Sequence, residues 1–208
     1  MHDVSWWLFI VASIVLIVTP GQDMILVMSR SIAQGSAAGV ATAAGVSVGL
    51  VGHTLLATLG LGAILRTSEW LFVLLKLAGA AYLVFMGVQL LRTRTQQLVA
   101  SHGTPRSLRR LFADGALSNV SNPKIAVFYF AFLPQFVAPN AAHPTAAVFT
   151  LGLSFAALTF VVKGPVGLAA GRLSGWLRRK PDALKWLYRT SGAVLIGLGI
   201  KLAFERRA

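Results

Sequence analysis

The sequence predicts an all-α integral membrane protein, with six transmembrane helices arranged as two inverted three-helix halves and the first helix of each half broken at a proline. Three observations predict it. Of 208 residues, 56% are hydrophobic and only 12% charged, with a mean hydropathy of +0.72; a soluble domain carries about twice that charge fraction. The apolar residues come in runs of about 20, the length that spans a bilayer. Proline then interrupts two of those runs at corresponding places in the chain.

The six runs are Trp6 to Met28, Gly39 to Leu65, Trp70 to Leu91, Phe112 to Leu133, Thr145 to Ala170 and Trp186 to Phe204. They are too long, and too lacking in alternation, for strands of a membrane barrel. The first run follows a stretch, Met1 to Ser5, that lacks Lys and Arg. It reads as a retained helix and not as a cleaved signal peptide. All five tryptophans, Trp6, Trp7, Trp70, Trp176 and Trp186, fall at span ends, where amphipathic rings settle at the headgroup level.

The formal net charge is +13, from 19 Lys and Arg against 6 Asp and Glu. The basic residues lie mainly between apolar runs, which favours topology and lipid headgroups over nucleic acid as the explanation. Connections one, three and five carry 12 of them, from Arg30 to Arg189, against 4 on the other side, Arg66, Lys201, Arg206 and Arg207. The first side is therefore expected to be cytoplasmic, in a bacterial inner membrane, with both termini outside.

The chain reads as a single transmembrane domain, 1–208. A cytoplasmic basic connection, 92–111, separates half one, 1–91, from half two, 112–208. Three spans per half make the halves inverted. Their breaks are Thr19-Pro20-Gly21 and Asn122-Pro123. Proline removes a helix hydrogen bond, and the freed backbone groups need partners in protein or in a water-lined cavity. One break alone is most simply a packing kink. Two in matching positions point to a transporter's central site.

A charge near the bilayer centre costs roughly 2.5–3.5 kcal/mol on insertion scales. Asp23 and Lys124 each follow a break directly, so these unlike charges are expected to meet. One reading is a salt bridge that clamps the halves. The favoured one is a site for a zwitterion, with Asp23 on an ammonium and Lys124 or a helix N-terminus on a carboxylate. Asp23 is also a candidate proton carrier. Asn119 and Asn122 share a helical face and either line the pathway or satisfy backbone freed by Pro123. Lys163 is read as snorkelling to the cytoplasmic headgroups. His53 follows Gly45 and Gly49 at four-residue spacing; it is a candidate proton shuttle, though a hydrogen bond across a helix interface is favoured. The glycine faces pack within the bundle or between protomers, which admits a homodimer.

No cofactor or metal is expected. The chain has no cysteine, no metal-site histidine spacing and no Gly-rich phosphate loop. An intramembrane enzyme would need a positioned nucleophile and base, which the sequence does not offer. An inorganic-cation transporter would have one intramembrane carboxylate beside a lysine, a poor divalent site.

Several segments together resemble the LysE/RhtB family of amino-acid exporters over almost the full length. They are Thr19-Pro20-Gly21-Gln22-Asp23, Lys76 through Leu83 with Gly87, Phe112 through Gly115 leading to Asn119, Asn122-Pro123-Lys124, and Phe132-Leu133-Pro134-Gln135-Phe136. Each alone is weak, but their order and spacing are specific. The resemblance implies secondary export of amino acids or derivatives, driven by the proton gradient. It implies site roles for Thr19, Pro20, Gly21 and Asp23, and for Asn122, Pro123 and Lys124. Gln22 departs from the pattern, because the family often has a second proline there.

Overall fold

The computed structural model describes residues 4–67, 69–92, 105–138, 141–179 and 181–204. Most of the basic connection, 93–104, lies outside them. Eight helices are described: α1 (Trp6–Val18), α2 (Gln22–Gln34), α3 (Ser36–Thr67), α4 (Glu69–Arg92), α5 (Leu108–Val120), α6 (Pro123–Val127), α7 (Pro144–Arg179) and α8 (Pro181–Phe204). A π-helical turn, Phe128–Phe132, and a 3-10 turn, Leu133–Phe136, follow α6. Among the described residues the one strand-like pairing is a bridge between Val4 and Val137.

Both expected breaks are present. At Thr19 to Gly21 the chain bends by 52° between α1 and α2, with Gly21 extended before α2 begins. The second helix of the bent pair runs to Gln34, six residues beyond the predicted end of the span. At Ser121 and Asn122 the chain breaks again, and Pro123 opens α6, where its missing N–H costs nothing. The predicted fourth span continues past this break as only five α-helical residues before the turn widens. Helices α5, α7 and α8 extend beyond the apolar runs that announced them, into basic or polar residues.

Three helices are long and apolar enough to cross a membrane over described residues: Ser36–Gly60, Pro144–Ala170 and Lys185–Phe204. The bent pair α1–α2 makes a fourth. Large apolar side chains such as Leu59, Val161, Leu168 and Phe204 stand exposed on the outside of the bundle. In water such a surface would associate; facing lipid tails it is satisfied. The protein is an all-α membrane protein.

Helix directions follow from the contacts. Helices α3 and α7 run antiparallel, since Gly39 meets Gly167 and Thr54 meets Gly152. Helices α4 and α8 do the same, through Gly87 against Gly192 and Ala80 against Gly199. In contrast, α3 and α5 are parallel: Gly45 abuts the Phe112 backbone, and Gly49 abuts Ala116 and Asn119. The Gly45–Gly49 face thus admits a neighbouring helix within the bundle. Ser31 Oγ donates to Gly167 O and Ser36 Oγ to Leu168 O at 2.8 Å, which joins the α2–α3 corner to α7.

The buried core is aromatic near the second break. Phe128 stacks on Phe155 with centroids 4.4 Å apart. Phe9 and Phe132 each meet Phe136 edge-on. The wide turn at Phe128–Phe132 aims Tyr129 between α3 and α7, where its hydroxyl donates to Gly152 O at 3.0 Å.

Candidate functional site

The two breaks face each other across one cavity. Its lining includes Thr19, Gly21, Gln22 and Asp23 from the first break and Asn119, Asn122 and Lys124 from the second. Helix α7 adds Phe155, Thr159 and Lys163, one stripe at four-residue spacing. The cavity measures about 10 Å³, room for about one water molecule. A larger solute would need the surrounding side chains or helices to move.

Asp23 sits in the first turn of α2, where the helix N-terminus favours a negative charge. It is 3% exposed. Its Oδ2 accepts a hydrogen bond from Asn119 Nδ2 at 2.9 Å and lies 3.3 Å from Lys163 Nζ. Its Oδ1 is buried without a hydrogen-bond partner among the described residues. The ion pair is therefore made by Lys163. Lys163 is buried in the bundle and does not snorkel to headgroups.

Lys124 points elsewhere. Its Nζ donates to Leu16 O at 3.0 Å and to Thr19 O at 3.4 Å. Leu16 is the residue four before Pro20, whose missing N–H leaves that carbonyl open. Thr19 Oγ1 turns back to Val15 O at 2.6 Å. Asn122 serves the backbone, its Oδ1 accepting from the Lys124 N–H at 3.1 Å as a helix cap. Gly21 places no side chain in the space beside Lys124 Nζ.

His53 is buried and bonds Asn119 O at 3.1 Å through Nε2; because a carbonyl only accepts, that nitrogen carries the proton. That carbonyl also accepts the backbone N–H of Asn122 at 2.9 Å, so His53 adds a second donor to it. The ring stacks on Tyr129 with centroids 5.6 Å apart, and Nδ1 is without a partner among the described residues.

At the basic end, α2 and α5 run antiparallel and are zipped by polar contacts. Gln22 Nε2 donates to Ser118 Oγ at 3.1 Å. Arg30 lies 3.5 Å from Asp114, which also pairs with Arg106. Gln34 Nε2 donates to Arg106 O at 3.0 Å. Gln22, the departure from the expected second proline, thus forms one rung of this seam.

The cavity brings together Asp23, Asn119, Asn122, Lys124, Thr19 and Gly21, while His53 stands behind Asn119. Sequence reasoning missed the place of Lys163. The signal was its spacing from Thr159 and Phe155, which puts an ammonium group on a helix face with an aromatic ring and a hydroxyl instead of at a span end.

A family model described as LysE type translocator matches residues 14–206. The chain belongs to the LysE translocator family. Several relatives bear the names of efflux proteins. A homoserine/homoserine lactone efflux protein of Salmonella typhimurium is 33% identical over 206 residues, covering 98% of each chain. A leucine efflux protein of the same organism is 25% identical over 200 residues, covering 96% of this chain and 94% of the relative. A membrane protein of Pseudomonas aeruginosa is 31% identical over 211 residues, covering 96% of this chain and 94% of the relative. No solved structure matches the chain.

Proposed function

We propose that this LysE-family chain is a secondary exporter of amino acids or close derivatives, working by alternating access around the cavity between its two broken helices and driven by inward proton movement. The observation that carries the reading is Asp23. A buried carboxylate with one oxygen paired and the other without a partner among the described residues is a poor structural element and a good ammonium receptor. Lys124 Nζ and the N-terminus of α2 border the same cavity and suit a carboxylate. Two of the relatives bear the names of amino-acid efflux proteins.

In this mechanism the substrate enters from the cytoplasm and sets its ammonium on Asp23 Oδ1. Rearrangement of the helices around the breaks opens the site outward. A proton from outside then neutralises Asp23, the ammonium leaves, and the proton is released inward when the site returns. His53 holds Asn119 in place by its bond to the Asn119 carbonyl, and Asn119 in turn holds Asp23.

The layout is six spans in two inverted halves, 1–91 and 112–208. It is supported by the pairing of second helix with second, α3 on α7, and third with third, α4 on α8, both antiparallel. The exposed Arg92, Arg109, Arg110, Arg172 and Arg189 gather at one end of the bundle, which is the cytoplasmic end by the positive-inside rule, with the termini opposite. A homodimer would form on lipid-facing surfaces, since α5 occupies the Gly45–Gly49 face. A transporter of inorganic cations ranks lower, because two ammonium groups line the cavity beside its carboxylate.

The test is efflux from cells loaded with dipeptides, comparing the native chain, Asp23→Asn and an empty control. The native chain is expected to speed the appearance of one class of amino acid outside, and Asp23→Asn to abolish this while remaining in the membrane. Full activity of Asp23→Asn would remove Asp23 from the mechanism.

A further inference from the structure

We infer that the cavity selects its substrate by net charge, taking zwitterions with an uncharged side chain and turning away amino acids with a cationic one, and that Lys163 sets this preference. The inference rests on the exporter reading above and names its substrate class.

The charged side chains that line the cavity come from three elements: Asp23 from α2, Lys124 from α6 and Lys163 from α7. Their exposures are 3%, 7% and 5%. Behind Asn119 lie His53 of α3, its Nε2–H committed to a carbonyl, and Tyr129, whose ring stacks on it. Two lysines thus share a nearly dry space with one carboxylate, so a further cation there finds its acceptor already engaged. Lys163 is close enough to Asp23 to occupy Oδ2.

A zwitterion fits this balance without changing it. Its ammonium meets acceptors that have no partner among the described residues: Asp23 Oδ1, Asn119 Oδ1 and Thr159 Oγ1. Its carboxylate meets Lys124, whose Nζ is engaged with backbone carbonyls and with no carboxylate among the described residues. A lysine or arginine substrate brings a further cation with no second carboxylate among the described lining residues to receive it, and repulsion between like charges is strong where water is excluded. The rest of the wall, Leu16, Ile17, Met24, Leu50, Ile125 and Phe155, offers a substrate side chain only apolar contact.

The experiment loads cells with dipeptides of leucine, threonine, lysine or arginine and follows efflux by the native chain, Lys163→Gln and Lys163→Arg. The expected result is export of leucine or threonine at roughly tenfold or more the rate of lysine and arginine. Lys163→Gln narrows that ratio and Lys163→Arg preserves it. Should Lys163→Gln be absent from the membrane, the readout becomes thermal protection of the purified native chain, expected with leucine or threonine and not with lysine. Export of lysine or arginine as fast as leucine, protection by lysine, or an unchanged ratio in Lys163→Gln would overturn the inference while leaving the exporter reading intact. If no amino acid leaves faster than in control cells, with the native chain shown in the membrane, the exporter reading fails and this inference with it.

Discussion

Lys124 Nζ donates to the carbonyl of Leu16 at 3.0 Å, the acceptor that Pro20 leaves without its helical donor. A cation on the second broken helix therefore completes the backbone of the first. His53 of α3 bonds Asn119 O beside the second break, a carbonyl that also accepts the Asn122 N–H. Each break is thus met by a side chain distant from it in the sequence.

Lys124→Met should leave the Leu16 and Thr19 carbonyls buried and without a side-chain donor. An unsatisfied buried group costs about 1–3 kcal/mol. The variant is expected to unfold at a lower temperature in detergent and to lose efflux, with Lys124→Arg recovering part of the stability. Unfolding of Lys124→Met at the native temperature would refute the repair of the break by Lys124.

His53→Gln keeps a donor near Asn119 O, whereas His53→Leu does not. We expect the Gln variant to retain most of its stability and the native pH dependence of efflux. The Leu variant should lose about 0.5–1.5 kcal/mol, the usual net worth of such a bond. A changed pH profile in His53→Gln would instead assign the ring a proton-carrying role.

A Cβ at Gly49 would lie 2.7 Å from Ala116 O, whereas one at Gly197 meets nothing within 4 Å. Gly49→Val is expected to push α5 from α3 and cost about 1–3 kcal/mol, as overpacking does. Gly197→Ala should be neutral or slightly stabilising. Comparing the unfolding temperatures of the two variants checks this, and equal values would argue against the close α3–α5 approach.

Gln22 lines the cavity and bonds Ser118 of α5, so in the proposed mechanism the α2–α5 seam parts during transport. The native chain has no cysteine, which makes a cross-linking test clean. Gln22→Cys with Ser118→Cys, joined by a short bifunctional thiol reagent with a cleavable disulfide, is expected to stop efflux, and reduction to restore it. Undiminished efflux after complete cross-linking would place the entry route elsewhere.

Much of this protein was legible before folding because it is local. Proline removes a donor whatever surrounds it, so Pro20 and Pro123 marked both breaks. Apolar runs of span length marked the helices, though their ends ran past the hydrophobic boundary in α5, α7 and α8. The intramembrane charges Asp23 and Lys124 stood out by their cost. Their partners did not, because a partner depends on the rotation of a third helix. Helix α7 turns its Phe155–Thr159–Lys163 stripe inward, and Lys163 makes the ion pair with Asp23 that one reading gave to Lys124.

The sequence by itself determined an all-helical membrane chain with two proline breaks, its basic connections, and the two charges next to those breaks. These are properties of single residues and of runs of neighbours. Only the tertiary structure decided that Lys163 pairs with Asp23, that Lys124 completes the backbone at Leu16, and that His53 bonds the carbonyl of Asn119. Those bonds join residues 140, 108 and 66 positions apart. Side chains that distant meet only when helix packing, set by where the glycines allow close approach, brings their faces into register.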